Sequence, residues 1–328
     1  MTPQINKINT TKNLLAFSAG VDSSALFFIL LENNIPFDLA IVNYNLRKQS
    51  KEELLYAKEL ALKYKKEIYI KELKIENESN FEKKARDIRY TFFEEIIEKN
   101  SYETLITAHQ LNDKFEWFLM QLSKGAGIVE LLSFEENIKK EKFTICKPLI
   151  NTSRADLEQY LEKNHIKFFI DQSNFDEKYK RNYFRKKFSN DFIKNYEQGL
   201  KKSFEYLQKD LDSLDINQKT ILKNKELEIF KSNEDSNINI RIIDKSLKQR
   251  GFLLSKLQRD EILKQKQCVI SHKIAINLTN KYIFISPYIK ETMPKKFKEK
   301  CRINRLPKNI RAYIFKENIL EEVLFITN

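Results

Sequence analysis

Phe17-Ser18-Ala19-Gly20-Val21-Asp22-Ser23-Ser24 is the stretch on which the fold turns. Before it, Asn13 to Phe17 reads as a short buried strand, and from Ser24 to Asn33 the chain is apolar on most faces and reads as a helix. Small residues between a strand and a helix let the backbone wrap a phosphate, with the N–H groups of the helix start aimed at it. Ser18, Ser23 and Ser24 add hydroxyl donors. Asp22 would repel an anion, so its presence implies Mg2+ between carboxylate and phosphate. No Gly-Lys-Ser/Thr follows, so this is not a Walker A loop. The plain alternative is an ordinary strand-to-helix turn with a Ser/Asp cap.

Working outward, strand and helix alternate. Phe37 to Val42, Glu67 to Leu73 and Thr104 to Ala108 read as strands, while Lys51 to Tyr64, Asn80 to Lys99 and Leu111 to Leu122 have helical spacing. Short joints between them predict an α/β fold, a parallel sheet with helices on both faces. Ligands in such sheets bind at the carboxyl ends of the strands, which points to the residues after Phe17, Val42 and Ala108. A further helix is expected from Ser153 to Asn164 and a strand at Ile166 to Ile170. Residues 191–232 look helical and lysine-rich. Beyond them come a Ser255-capped helix and a hairpin, with Ile274, Ile276 and Leu278 alternating before Thr279-Asn280-Lys281 turns the chain into Tyr282 to Ile285. The expected organisation is 1–190, an α/β domain; 191–235, a helical connector; and 236–328, a small basic α+β domain.

Only 5 glycines occur in 328 residues, which excludes collagen-like and low-complexity chains. The net charge of +13 is uneven. Residues 1–200 hold 32 basic and 30 acidic residues, whereas Lys245 to Arg311 holds 18 and 4. A balanced body with a basic appendage predicts a polyanionic partner, nucleic acid first. Cys146, Cys268 and Cys301 form no C-x-x-C pair, so no zinc knuckle or disulfide framework is signalled, which fits a cytoplasmic setting. No apolar run reaches the length of a membrane span.

The Ser18–Ser24 loop resembles the Ser-Gly-Gly-x-Asp-Ser loop of the N-type ATP pyrophosphatases, and later motifs resemble one branch, the tRNA(Ile)-lysidine synthetases. Ile41 to Arg47 resembles that family's second-strand motif. Asn80 to Tyr90 resembles its Glu-x3-Arg-x2-Arg-Tyr helix, and Thr107 to Glu116 its Thr-Ala-His…Asp-x2-Glu signature. Lys124-Gly-Ala-Gly127, Lys147-Pro148-Leu149 and Asp171-Gln-Ser-Asn174…Arg181-Asn182…Arg185 resemble later ones. Ala19, Tyr44, Asn45, Trp117, Lys124 and Lys147 depart from the family's usual residues, and none of these removes a carboxylate.

The resemblance implies a Rossmann-like PP-loop fold. It also implies an ATP-dependent ligase that joins L-lysine to the C2 of the wobble cytidine of tRNA(Ile), releasing AMP and pyrophosphate. Asp22, Arg86, His109, Asp113 and Glu116 are the expected catalytic residues, Ser18 to Ser24 with Asn43 the ATP contacts, and Asp22 and Asp113 the metal ligands. Lys124, Arg181, Asn182 and Arg185 are expected to contact tRNA. Glu82, Arg86 and Arg89 share one helix face, with Arg89 assigned to structure and Arg86 to the phosphate or the adenylated base, a surface salt-bridge ladder being the plain alternative. Asp113 and Glu116 stand i, i+3 and face one crevice, where they could bind Mg2+ or the lysine ammonium. His109 would position a phosphate or act as an acid/base near neutral pH. Gly125 and Gly127 are read as a turn near the ligand. A homodimer is allowed for, though nothing in the residues sets the oligomeric state. Three other readings compete with this one. A tRNA thiolase needs a nucleophilic or cluster-binding cysteine, and none lies in the Ser18–Ser24 loop, the Asn80–Tyr90 helix or the Thr107–Glu116 signature. A small-molecule ligase would leave the basic tail unexplained. A non-catalytic RNA-binding protein would not need Asp22, Asp113 and Glu116 intact.

Overall fold

The computed structural model describes residues 3–5, 8, 12–45, 49–73, 81–170, 180–214 and 219–327, without the side chains of Phe81 and Glu82. The motif residues Leu46, Arg47, Asn80 and 171–179 therefore lie outside the described residues. The chain forms two compact units, Met1–Leu207 and Gln208–Asn328.

The first unit begins β1 (Asn13–Ala16), α1 (Val21–Glu32), β2 (Asp38–Asn43), α2 (Gln49–Lys63), β3 (Ile68–Glu72), α3 (Phe81–Asn100), β4 (Thr104–Ile106) and α4 (Leu111–Leu122). It continues with α5 (Ile128–Leu131), β5 (Asn137–Lys139), β6 (Thr144–Cys146), α6 (Arg154–Lys163) and α7 (Lys180–Phe184). A π-turn over Arg185–Ser189 then leads into α8 (Asn190–Ser213). The sheet order is β3-β2-β1-β4-β6-β5, parallel except for β5, which pairs antiparallel with β6 at the edge. Period-two alternation divides the core. Leu15, Leu39, Ile41 and Ile106 pack with α1, α2 and α6, while Leu14, Ala40 and Leu105 pack with Phe93, Ile96 and Ile97 of α3. Burial on both faces explains why these strands read as continuous apolar runs.

The chain runs from β1 outward to β2 and β3, then crosses back to β4 on the other side of β1. This reversal is a topological switch point, and it opens a crevice at the carboxyl ends of β1 and β4. Two expectations differ from the structure. Between Ile166 and Ile170 only Phe169 bridges, parallel to Gly20, rather than forming a full strand. The stretch 191–235 is helical to Ser213 and then enters strands. Propensity did not reveal the first of those strands because Leu222–Asn224 is three residues long and needs its partner to form.

The second unit has β7 (Leu222–Asn224), β8 (Leu227–Lys231), α9 (Ser236–Gln249), α10 (Lys256–Gln265), β9 (Gln267–Ile270), β10 (Ile274–Leu278) and β11 (Tyr282–Pro287). It ends with α11 (Lys295–Ile303), α12 (Arg311–Glu317) and α13 (Leu320–Thr327). The antiparallel order is β7-β8-β11-β10-β9, with the expected hairpin pairing Ile276 with Ile285. Ile276, Ile283 and Ile285 pack against α9 and α10, while Ala275 and Phe284 pack against the residues of α11 to α13. As expected, Ser255 caps α10, in a reciprocal box with Gln258.

A candidate nucleotide site at the switch point

The loop from β1 to α1 bends through Ala19, whose φ of 58° is left-handed. Alanine pays about 1 kcal/mol or more there, and the Phe169 N–H holds the turn by donating to Ala19 O at 2.9 Å. Gly20 precedes α1 in extended conformation. The three expected hydroxyl donors differ. Ser18 is exposed, Ser23 is buried in hydrogen bonds with Ser18 Oγ at 3.1 Å and Gly20 O at 3.3 Å, and Ser24 is fully buried in the core. Only Ser18 of the three is positioned to reach a ligand freely.

Asp22 occupies the first turn of α1, and its Oδ1 is buried without a partner. Desolvation, reinforced by repulsion from Asp113, pushes its carboxyl up to about 7, against the pull of Arg154 and Arg185. A buried carboxylate oxygen with no partner, close to a second carboxylate, suits a divalent cation. Among the described residues no three acidic, His or Cys groups gather as a metal cage. Mg2+ commonly takes one or two carboxylates and completes its shell with phosphate oxygens and water, so Asp22 fits that ion.

The opposite wall is α4. Its N-terminus is closed by a capping box in which Gln110 accepts from the Asn112 N–H and Asp113 Oδ2 accepts from the Gln110 N–H at 3.1 Å. Asp113 and Glu116 face inward, and Glu116 is 0% exposed. Arg181 and Arg185, one turn apart on the segment beginning with α7, reach across to them. Arg181 pairs with Asp113 and donates Nε to Glu116 Oε2 at 2.8 Å, and Arg185 donates Nε to Glu116 Oε1 at 2.7 Å. Burial alone would raise Asp113, but the charges of Arg181 and Arg185 and the Gln110 N–H outweigh it and hold the carboxyl below its usual range. An i, i+4 pair of arginines thus meets an i, i+3 pair of acids, giving a neutral, fully bonded cluster.

That arrangement differs from a solvated tRNA contact for Arg181 and Arg185. A guanidinium is held more strongly by two desolvated carboxylates than by water. Asn182, between them, is half-buried. His109 bonds Thr107 Oγ1 through Nδ1 at 2.9 Å and meets the Phe134 ring edge-on at 5.4 Å. Desolvation lowers it to about 4, with Arg181, Lys147 and Arg86 adding to the effect and Asp113 opposing it. His109 is therefore neutral at pH 7, which leaves the positioning role and removes titration near neutrality. Arg86 stacks on Tyr90 at 5.0 Å, and Arg89 lies over Tyr44, whose hydroxyl donates to Ala85 O at 2.7 Å. Tyr44 and Arg89 join the end of β2 to α3, as the structural assignment of Arg89 anticipated.

Asn43 at the end of β2 is committed locally, its Oδ1 accepting from the Asn45 N–H and its Nδ2 facing Asn45 and Glu72. Lys124 is exposed beyond the far end of α4, about 16 Å along the helix from Asp113 at 1.5 Å per residue. The left-handed Gly125 turns the chain there, and the chain then returns to set Phe134 against His109.

Two residues without an assigned role belong to this region. Arg154 starts α6, its N–H donates to Asn112 Oδ1, and it is the principal positive charge acting on Asp22. Lys147 is 4% exposed, donates to Glu135 O and lies 5.0 Å from the Phe134 ring. Burial lowers its ammonium to about 8. Lys147 belongs to the Lys147-Pro148-Leu149 motif, but nothing in its spacing shows that the ammonium is buried. Arg154 carried no signal beyond its place after a cap.

A phosphate-sized loop and an unpartnered carboxylate at the switch point of a parallel sheet define an α/β nucleotide-binding protein, and residues 2–192 match the PP-loop domain family. Over 94% of both chains it is 47% identical to the tRNA(Ile)-lysidine synthase of Campylobacter jejuni strain RM1221. It is 40% identical, over 95% of both chains, to that of Wolinella succinogenes. This chain belongs to the tRNA(Ile)-lysidine synthase family. A solved U34-tRNA thiolase from Methanococcus maripaludis shares the fold, with a TM-score of 0.50, 18% identity and coverage of 61% of this chain and 72% of that one.

Proposed function

We propose that this protein is a tRNA(Ile)-lysidine synthase that uses ATP to join L-lysine to the wobble cytidine of tRNA(Ile), forming a carbon–nitrogen bond. The observation that carries the reading is the meeting of Asp22, His109, Asp113 and Glu116 around the β1/β4 switch point. In the first step the C2 oxygen of the cytidine attacks the α-phosphate of ATP and pyrophosphate leaves. In the second, the lysine amine attacks C2, AMP departs and the amine loses its proton.

The triphosphate lies on the Ser18–Ser23 turn and the start of α1, where N–H dipoles stabilise negative charge. Mg2+ bound to Asp22, with Asp113 near, would neutralise charge on the phosphates. With Thr107 donating to Nδ1, His109 presents Nε2–H as a neutral donor to a phosphate oxygen. Arg86 and Lys147, both acting on His109, add positive potential for the same anion. Arg181 is 43% exposed and Arg185 only 16%, so Arg181 is the partner that yields when the lysine ammonium approaches Asp113. A thiolase reading finds one cysteine in the first unit, Cys146, buried in β6. The basic second unit supplies phosphate contacts to the tRNA. Among the described residues no helix is long and apolar enough to cross a membrane.

Incubation with tRNA(Ile), ATP and L-lysine, followed by nucleoside mass spectrometry, tests the reading. Lysine added to cytidine with release of AMP and pyrophosphate is the expected result. Unmodified cytidine from folded protein that binds both ATP and tRNA would overturn it.

A further inference from the structure

From Lys180 to Phe188 the chain reads KRNYFRKKF, with five basic residues, three aromatics and no acid. Its inward side is accounted for by Arg181 and Arg185 on Asp113 and Glu116. The outward side is not. Tyr183 is 42% exposed and Phe188 47%. The two rings meet at 6.0 Å and 72°, and both pack on Phe184, at 6.0 and 5.6 Å. The three rings in mutual contact make one contiguous aromatic patch rather than scattered exposed residues, the kind of surface that marks an interaction site. The π-turn that starts at Arg185 lies within this segment, and such turns recur at functional sites.

We propose that Tyr183 and Phe188 form a stacking platform for unpaired RNA bases beside the target cytidine. The inference rests on the lysidine reading and adds the residues that receive the loop. Charge decides the class of occupant. Exposed Lys180, Lys186 and Lys187 flank the rings, and no acid lies nearby in the segment, so the partner is anionic as well as π-faced. Duplex RNA hides its base faces, whereas a loop whose target base has been drawn out offers the neighbouring ones. Stacking of that kind tolerates any base and needs only an open ring next to a phosphate-binding cation. Because the segment is tied to α4 through Arg185 as well as Arg181, the platform is fixed to the crevice wall that carries Asp113 and Glu116.

The test uses the full chain and an anticodon stem-loop with 2-aminopurine next to the wobble cytidine. The fluorophore should be quenched on binding. Tyr183→Ala and Phe188→Ala should each weaken binding about tenfold and abolish the quench, while Tyr183→Phe and Phe188→Tyr retain both. The salt slope should stay unchanged in the alanine variants and flatten in Lys187→Ala, because stacking releases no counterions. Wild-type affinity and quench in both alanine variants would overturn the platform. So would self-association, seen by sedimentation, that the alanine variants abolish without changing RNA binding, since the face would then be an interface between copies. Lysine incorporation by the wild type is measured alongside. Its absence with the quench intact sinks the reaction and not the platform, and its presence without a quench sinks only the platform.

Discussion

Asp22 is held in a conformation that suits a ligand better than it suits the folded chain. Its carboxyl is raised to about 7 by burial and by Asp113. Between the unfolded value near 3.8 and about 7 the folded state binds more protons, so this group makes the protein less stable as pH rises through that window. Asp22→Asn should therefore stabilise the protein at pH 8 by on the order of 2 kcal/mol, read as a raised melting temperature, and abolish turnover. Mg2+-dependent ATP affinity should fall as pH drops below about 7, because the ion must displace a proton from Asp22. Titration calorimetry at two pH values checks this. Gly20 offers a second residue-scale test. A Cβ there would sit 3.6 Å from Ser18 Oγ and 3.9 Å from Phe169 O, which are ordinary contacts. Gly20→Val should fold normally and lose ATP affinity by tenfold or more, an effect of about 1.4 kcal/mol. Wild-type affinity would show that the ligand does not approach this backbone. The small-residue loop was legible in the sequence. The burial of Ser24 was not, because which hydroxyl faces out depends on how α1 is rotated against α6.

Among elements, the contact between α4 and the segment starting at α7 is where sequence reading stopped short. The sequence shows Asp113 and Glu116 with a helical spacing and Arg181 and Arg185 only as members of a basic stretch, and read that way the two sets take separate ligands. Sixty-odd residues separate them, and local periodicity says nothing about which charged faces will meet. The paired spacings, i, i+3 against i, i+4, were the one available signal. Removing one partner of a buried cluster leaves charge stranded. Arg185→Ala should cost about 3 kcal/mol, and Arg181→Ala less, since Arg181 is 43% exposed and water can reach the acids it leaves. Chemical denaturation of the two variants gives the order. Asp113→Ala should remove activity and, by opening the α4 capping box, about 1 kcal/mol of stability, while tRNA binding stays near normal. Lost tRNA binding would mean that the change spreads beyond α4.

For the whole molecule, the division of charge matches the division into units. The first 207 residues are nearly balanced, and the excess lies in the second compact unit. Within that unit α11 and the turn after it carry Lys295, Lys296, Lys298, Arg305 and Lys308. Substituting Lys295, Lys296 and Lys298 with alanine should weaken tRNA binding and reduce its salt slope by about one per lost phosphate contact, leaving ATP affinity unchanged. An unaltered slope would place the tRNA elsewhere. The α/β alternation and the terminal hairpin could be read directly because strand and helix periods are local properties. The three-residue strands β5, β6 and β7 could not, since strands that short depend on the neighbour they bond.

By itself, then, the order of residues determined the sheet class, the phosphate loop, the family's motifs and the basic character of the second half. These follow from short-range pattern and composition. Tertiary structure decided the rest: that the loop bends at a left-handed Ala19, that His109 is neutral, that Lys147 is buried, and that Arg181 and Arg185 close on Asp113 and Glu116. Each of these depends on desolvation and on groups distant in the chain, and both are properties of packing rather than of sequence.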